Sequence, residues 1–153
     1  MTTPTPLAFD IRDLTYAVGQ SPILKELSAE VQEGEYKAII GPNGAGKTTF
    51  LSCLIRVLNN WHGSIRLFHT PLENLSQKEL ARKVSYVPQI QESTFAFHVR
   101  EFLLMSRFPY LSPFTPASQT DHEAVDKALE TTGMTAFADR YLGTLSSGER
   151  QKV

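Results

Sequence analysis

The residues best fitted for chemistry stand together at 41–48, Gly41-Pro42-Asn43-Gly44-Ala45-Gly46-Lys47-Thr48, in the spacing G-x-x-x-x-G-K-[ST]. Glycines at Gly41, Gly44 and Gly46 let the backbone take positive φ and come close to an anion. Successive N–H groups can then point at phosphate oxygens. Lys47 supplies a point charge to the β- and γ-phosphates of a nucleotide, the Thr48 hydroxyl is placed to ligate Mg²⁺, and Thr49 adds a second hydroxyl. Two further sites are weaker alone. Gln89 follows an apolar run and reads by itself as a solvated turn residue. Leu145-Ser146-Ser147-Gly148-Glu149 reads by itself as a plain capped helix start, with Ser146 as the N-cap and Glu149 in the first turn.

The flanks agree with the phosphate loop. Residues 35–40 form a short apolar run with a strand's composition, and 49–58 carry a helical pattern, so strand, loop and helix follow in the order the motif needs. Upstream, 9–18 predicts a strand through Phe9, Ile11, Leu14 and Tyr16, and 27–32 a second. Downstream, 64–68 predicts a strand, 76–83 a helix opened by the capping box Ser76/Glu79, and 84–87 a strand closed by Pro88. Residues 99–108 and 121–132 predict helices, the latter with Ala124, Val125, Ala128 and Leu129 on one face, joined by a proline-bearing connector at 111–117. Strands dominate to Val87 and helices follow, which predicts an α/β nucleotide core with a mostly helical insertion. Residues 1–8 are expected to be a flexible tail.

Composition excludes several classes. The chain has 153 residues, 41% hydrophobic and 20% charged, with a net charge of −1, so no basic field points to nucleic acid. No apolar run approaches the length of a bilayer span, and the N-terminus lacks a leader pattern, so a cytoplasmic location is expected. Cys53, the only cysteine, reads as a small buried hydrophobe. His62, His69, His98 and His122 are too scattered for a zinc site.

The phosphate loop, Gln89 and L-S-S-G-E, in that order and approximate spacing, make the chain resemble the ATP-binding subunit of an ABC transporter from about Phe9 to the end. The resemblance implies an α/β fold: a P-loop NTPase core with an N-terminal antiparallel β-subdomain over 9–89, and a helical insertion over 90–153. It implies ATP and Mg²⁺ as cofactors and assigns Gln89 to Mg²⁺ and the attacking water. It sets Ser146, Ser147, Gly148 and Glu149 against the γ-phosphate held by a second ATP-binding subunit, in a head-to-tail dimer. The family's commoner forms have glycine at Ser147 and glutamine at Glu149. Members commonly stack adenine on an aromatic residue where this chain has Val18; Tyr16, two residues earlier, is either a substitute or a core residue.

The stretch 99–114 further resembles importers of iron chelates, siderophores and vitamin B12. There the region, with 89–97, receives a helix of the membrane permease, which implies a peripheral place on the inner face of the plasma membrane. Helix 99–108 is apolar nearly all round, so it is either buried or docks a partner. Full members continue past the signature helix into a strand ending in Asp-Glu and a loop with a switch histidine. The fold is therefore expected to be incomplete at the C-terminus, catalytically deficient, and exposed along the 35–40 strand edge. A soluble, non-transport ABC ATPase of translation or DNA, and a non-hydrolysing nucleotide-binding protein, are the alternative readings.

Overall fold

The computed structural model describes residues 5–88, 96–112 and 114–153, which fall into two units, Met1–Ser85 and Tyr86–Val153. The first is a four-stranded antiparallel sheet in the order β2-β1-β3-β4, comprising β1 (Leu7–Val18), β2 (Ser21–Gln32), β3 (His62–Leu67) and β4 (Thr70–Pro71). In β1 the apolar residues Phe9 and Ile11 are out of phase with Leu14 and Tyr16, so a strict period of two would turn one pair outward. A bulge repairs the phase: Asp13 has φ 50°, the β1–β2 register shifts between Ile11 and Leu14, and both Ile11 and Leu14 are fully buried. Ser28 Oγ accepts from the Asp13 amide at 2.9 Å, and Thr15 Oγ1 accepts from the Glu26 amide at 3.0 Å, which satisfies the groups the bulge frees.

The β1–β3 approach is close enough to require glycine. At Gly63, with φ 91°, a Cβ would lie 2.4 Å from the Arg12 carbonyl oxygen. Helix α1 (Lys47–Leu54) packs Phe50, Cys53 and Leu54 into one core with Ile11, Leu14, Leu24, Ile65, Leu67 and Leu72. The core continues through Leu75 to Leu80 of α2 (Gln77–Ala81), whose capping box pairs Ser76 with Glu79.

Several expected boundaries move. Strand β2 begins six residues earlier than 27–32, and β1 starts at Leu7, inside the expected tail. Helix α1 starts at Lys47 rather than 49 and ends at Leu54 rather than 58, because Arg56 turns left-handed at φ 55° and its guanidinium donates to the carbonyls of Leu72 and Leu75. Residues 35–40 and 84–87 are not strands among the described residues. A strand exists only where a neighbour accepts and donates, and none of the four paired strands reaches either run. In the first run the side chains bond locally instead. Glu35 accepts from the Gln32 amide at 2.7 Å, Lys37 reaches Glu35 and the Glu30 carbonyl, Tyr36 is fully exposed and Ile40 is 92% exposed.

The second unit holds α3 (Val99–Met105), α4 (Gln119–Thr132) and α5 (Ser147–Lys152), with short 3-10 turns at Thr135–Phe137 and Leu142–Thr144. Its core is Val99, Val125, Leu129, Met134, Ala138, Leu142 and Leu145. Of the face expected on α4, Val125 and Leu129 are buried and Ala128 is exposed. Gly133 ends α4 at φ 68°, and the Met134 amide returns to the Leu129 carbonyl at 2.7 Å. Asp121, 6% exposed, fixes the start of α4: it accepts from Ser118 Oγ at 2.6 Å and from Arg107 Nε at 3.0 Å. Helix α3 ends at Met105, three residues short of the expected 108, and is not buried all round: Val99 is buried, while Phe102 and Met105 are exposed.

Candidate nucleotide site

The loop at 41–46 is shaped by its glycines. Gly44 has φ 81° and Gly46 φ 88°, whereas Gly41 does not take the positive φ expected of it, and the Ala45 amide closes the turn on the Pro42 carbonyl at 3.2 Å. Gly46 is the N-cap of α1, and the Phe50 amide bonds its carbonyl at 2.8 Å, so the helix is already running at Lys47. The amides of Lys47, Thr48 and Thr49 occupy the first three helical positions, where no intrahelical acceptor exists. They stand at the positive end of the helix dipole, the natural position for an anion. Loop residues 42–45 and Thr48 are exposed, so the cradle opens to solvent.

Lys47 is held ready. Its Nζ donates to the carbonyls of Gly41 and Pro42, both at 2.7 Å, folding the ammonium over the loop. An anion entering the loop exchanges these neutral acceptors for charged ones, and charge-assisted bonds are roughly twice as strong. The loop rests on β2. A Cβ on Gly46 would come within 3.0 Å of Leu24 Cδ2, 3.2 Å of Ile23 Cγ2 and 3.3 Å of the Ile23 carbonyl oxygen. Ile23 and Leu24 lie against the loop from β2, a contact that nothing in their sequence pattern announces. Their signal was hidden by Pro22 before them and Lys25-Glu26 after them. Beside the loop, β2, α1 and residues 38–40 enclose an open apolar hollow of about 610 Å³. Ala45, Gly46 and Lys47 of the loop form part of its lining.

The other expected site residues are placed as follows. Tyr16 packs against the buried core of its unit, and Val18 stands 60% exposed at the end of β1. Gln89 lies outside the described residues. In the second unit Ser146 caps α5: its Oγ accepts from the Glu149 amide at 3.3 Å, and Glu149 accepts from the Ser146 amide at 2.7 Å. These bonds hold the Glu149 carboxyl below the usual carboxylate range. Ser147 and Gly148 occupy the first two helical positions, whose amides have no intrahelical acceptor. Burial pushes the Cys53 thiol up, consistent with a packing role. Among the described residues no cluster of His, Cys, Asp and Glu could hold a metal ion, and no helix is long and apolar enough to cross a membrane.

Comparison with known proteins gives the family and the fold. The family model described as ABC transporter matches residues 24–153. The ferric enterobactin transport ATP-binding protein of Escherichia coli (strain K12) is 36% identical over 140 residues, covering 92% of this chain and 52% of that protein. The petrobactin import ATP-binding protein of Bacillus anthracis is 35% identical over 146 residues, covering 95% and 54%. The chain thus spans about half the length of these curated relatives. Among solved structures, a metal-chelate type ABC transporter in an inward-facing conformation superposes with a TM-score of 0.77 at 25% identity, covering 97% of this chain and 53% of that one. An ATP-binding cassette in its ADP conformation gives 0.78 at 23% identity, covering 97% and 62%, which shows the shared fold. The chain belongs to the ATP-binding domains of ABC transporters, P-loop NTPases whose family binds ATP.

Proposed function

We propose that the chain is the nucleotide-cradling part of an importer ATPase subunit, in which Gly41 to Thr49 hold the triphosphate of Mg·ATP. The observation that carries this is the loop itself: left-handed Gly44 and Gly46, three unpartnered amides at the start of α1, and Lys47 folded over the loop carbonyls. The exposed Thr48, on the second residue of α1, carries a hydroxyl that fits a hard cation preferring oxygen ligands, Mg²⁺, which would neutralise phosphate charge. Ser146, Ser147, Gly148 and Glu149 form a second anion-facing helix start, which meets the γ-phosphate on the loop of a second ATP-binding subunit in a head-to-tail dimer.

The exposed apolar side chains Phe102, Met105 and Phe108 support a docking face for membrane permease subunits, which would hold the protein on the inner face of the plasma membrane. An iron-chelate or siderophore cargo follows from the names of the relatives, not from any residue of this chain. Phosphoryl transfer to water needs both charge neutralisation and an oriented water. Gly41 to Thr49 supply the first. Titration of the purified chain with Mg·ATP is expected to show saturable binding that Lys47→Ala weakens about tenfold or more, and binding unchanged by that substitution would contradict the assignment.

A further inference from the structure

In the second unit the chain entering α3 runs beside the chain approaching L-S-S-G-E. His98, the N-cap of α3, forms an antiparallel bridge with Tyr141. Three backbone bonds flank it: the Leu142 amide donates to the Phe97 carbonyl at 2.9 Å, the Val99 amide to the Arg140 carbonyl at 3.0 Å and the Arg100 amide to the Ala138 carbonyl at 2.9 Å. Across the bridge the His98 ring stacks on the Tyr141 ring, with centroids 4.3 Å apart and planes 27° from parallel. Glu101 orients the imidazole: its Oε2 lies 3.2 Å from Nδ1 and also accepts from the His98 amide at 2.9 Å. Tyr141 is 50% exposed, so this ring pair lies outside the apolar core of the unit.

Between Tyr141 and Ser146 the chain has little slack. The Tyr141 carbonyl accepts from the Thr144 amide at 2.9 Å and from Thr144 Oγ1 at 2.8 Å, and Arg140 donates to the Thr144 carbonyl at 3.1 Å. Leu142 and Leu145 are buried, and Arg150 of α5 donates to the Leu145 carbonyl at 3.1 Å. A displacement of Tyr141 is therefore passed along to Ser146. The bridge itself is one residue pair long and partly exposed, where water competes for its backbone bonds, so the ring pair governs how often it opens. Resting on the reading of 145–149 as the contact with a second subunit's nucleotide, we infer that Tyr141 is a positioning residue: its stack on His98 clasps the turn 141–145 to the start of α3 and so sets where Ser146 to Glu149 stand.

The test is native-state amide exchange, read by NMR on the 153-residue chain without nucleotide, for Tyr141→Ala, His98→Ser, the double variant and Tyr141→Phe. Serine removes the ring at 98 but keeps an N-cap for α3. The expected result is exchange about 3- to 10-fold faster at Leu142, Thr144, Leu145, Glu149 and Arg150 in either single-ring loss, with Met134 at the end of α4 unchanged. The double variant should add little to either one, and Tyr141→Phe, which keeps a ring, should exchange as the unsubstituted chain does. Unchanged exchange at 142–150 in Tyr141→Ala would overturn the clasp. So would equal acceleration at Met134, since the ring would then be holding the unit as a whole, and so would fully additive effects in the double variant, since the two rings would not then act as a pair. Should Tyr141→Ala fail to fold, His98→Ser decides by the same amides. No nucleotide enters the measurement, so the clasp fails or stands apart from the reading of 145–149.

Discussion

Gly46→Ala tests how the loop is held. The backbone at Gly46 has φ 88°, and left-handed backbone costs a residue with a Cβ about 1–2 kcal/mol. The new Cβ also meets Leu24 Cδ2 at 3.0 Å and the Ile23 carbonyl oxygen at 3.3 Å, so the loop or β2 must give by a few tenths of an ångström. Crowding of this kind adds roughly 1 kcal/mol, for a total of about 2–3 kcal/mol in the first unit. Gly44→Ala is the matched control: its φ of 81° imposes the same strain, but its Cβ meets nothing within 4 Å, so it should cost only about 1–2 kcal/mol. Function should separate the two further. Gly46 caps α1, and displacing it re-aims the amides of Lys47, Thr48 and Thr49. Each bond lost to a charged phosphate is worth about 1.5–3 kcal/mol, so Gly46→Ala should weaken Mg·ATP about 10- to 150-fold. Urea unfolding reads the first quantity and nucleotide titration the second. Equal midpoints and equal affinities for the two variants would refute the support of the loop by β2.

Gly63→Ala, with its Cβ 2.4 Å from a β1 carbonyl, should lower stability by about 3 kcal/mol or more in urea unfolding, while Gly143→Ala, which meets open space, should stay within about 0.5 kcal/mol. The carboxyls of Glu101, Asp121 and Glu149 all lie below their usual range: Glu101 through the His98 amide, Asp121 through Ser118 and then Arg107, Glu149 through Ser146. A folded pKa below the unfolded value gives stability that is present above the unfolded value, about 3.9 for Asp and 4.3 for Glu, and lost as pH falls through the folded one. The stability difference between the unsubstituted chain and Asp121→Asn, followed by ellipticity at 222 nm, should therefore be constant from about pH 7 to 5 and close below about pH 4. The fully exposed Tyr36 and the 92% exposed Ile40 lie on an unpaired run, so the chain should self-associate at high concentration; sedimentation velocity should show less association in Tyr36→Lys/Ile40→Lys.

The phosphate loop was legible because its constraints are local: glycines where φ is positive, a lysine, and hydroxyls at a helix start. Ser76 and Ser146 were legible for the same reason, each bonding a residue three positions on. The misread elements depend on distant partners. Residues 35–40 have the composition of a strand, but composition records what a run is suited to, not whether a neighbour is present. The end of α1 is set by Arg56 reaching Leu72 and Leu75, and the start of α4 by Arg107 reaching Asp121, neither of which follows from periodicity. The first half of β2 was hidden because Glu26, in a left-handed bulge with φ 47°, breaks the alternation that marks a strand.

Equilibrium dialysis of radiolabelled Mg·ATP against the 153-residue chain and against Lys47→Ala shows whether 41–49 cradles a nucleotide triphosphate through Lys47. The ammonium that now donates to the Gly41 and Pro42 carbonyls should turn to phosphate, and its removal should weaken binding by about tenfold or more. Saturable binding in the unsubstituted chain that all but vanishes in a folded Lys47→Ala is the predicted result. Equal binding by the two chains would contradict it.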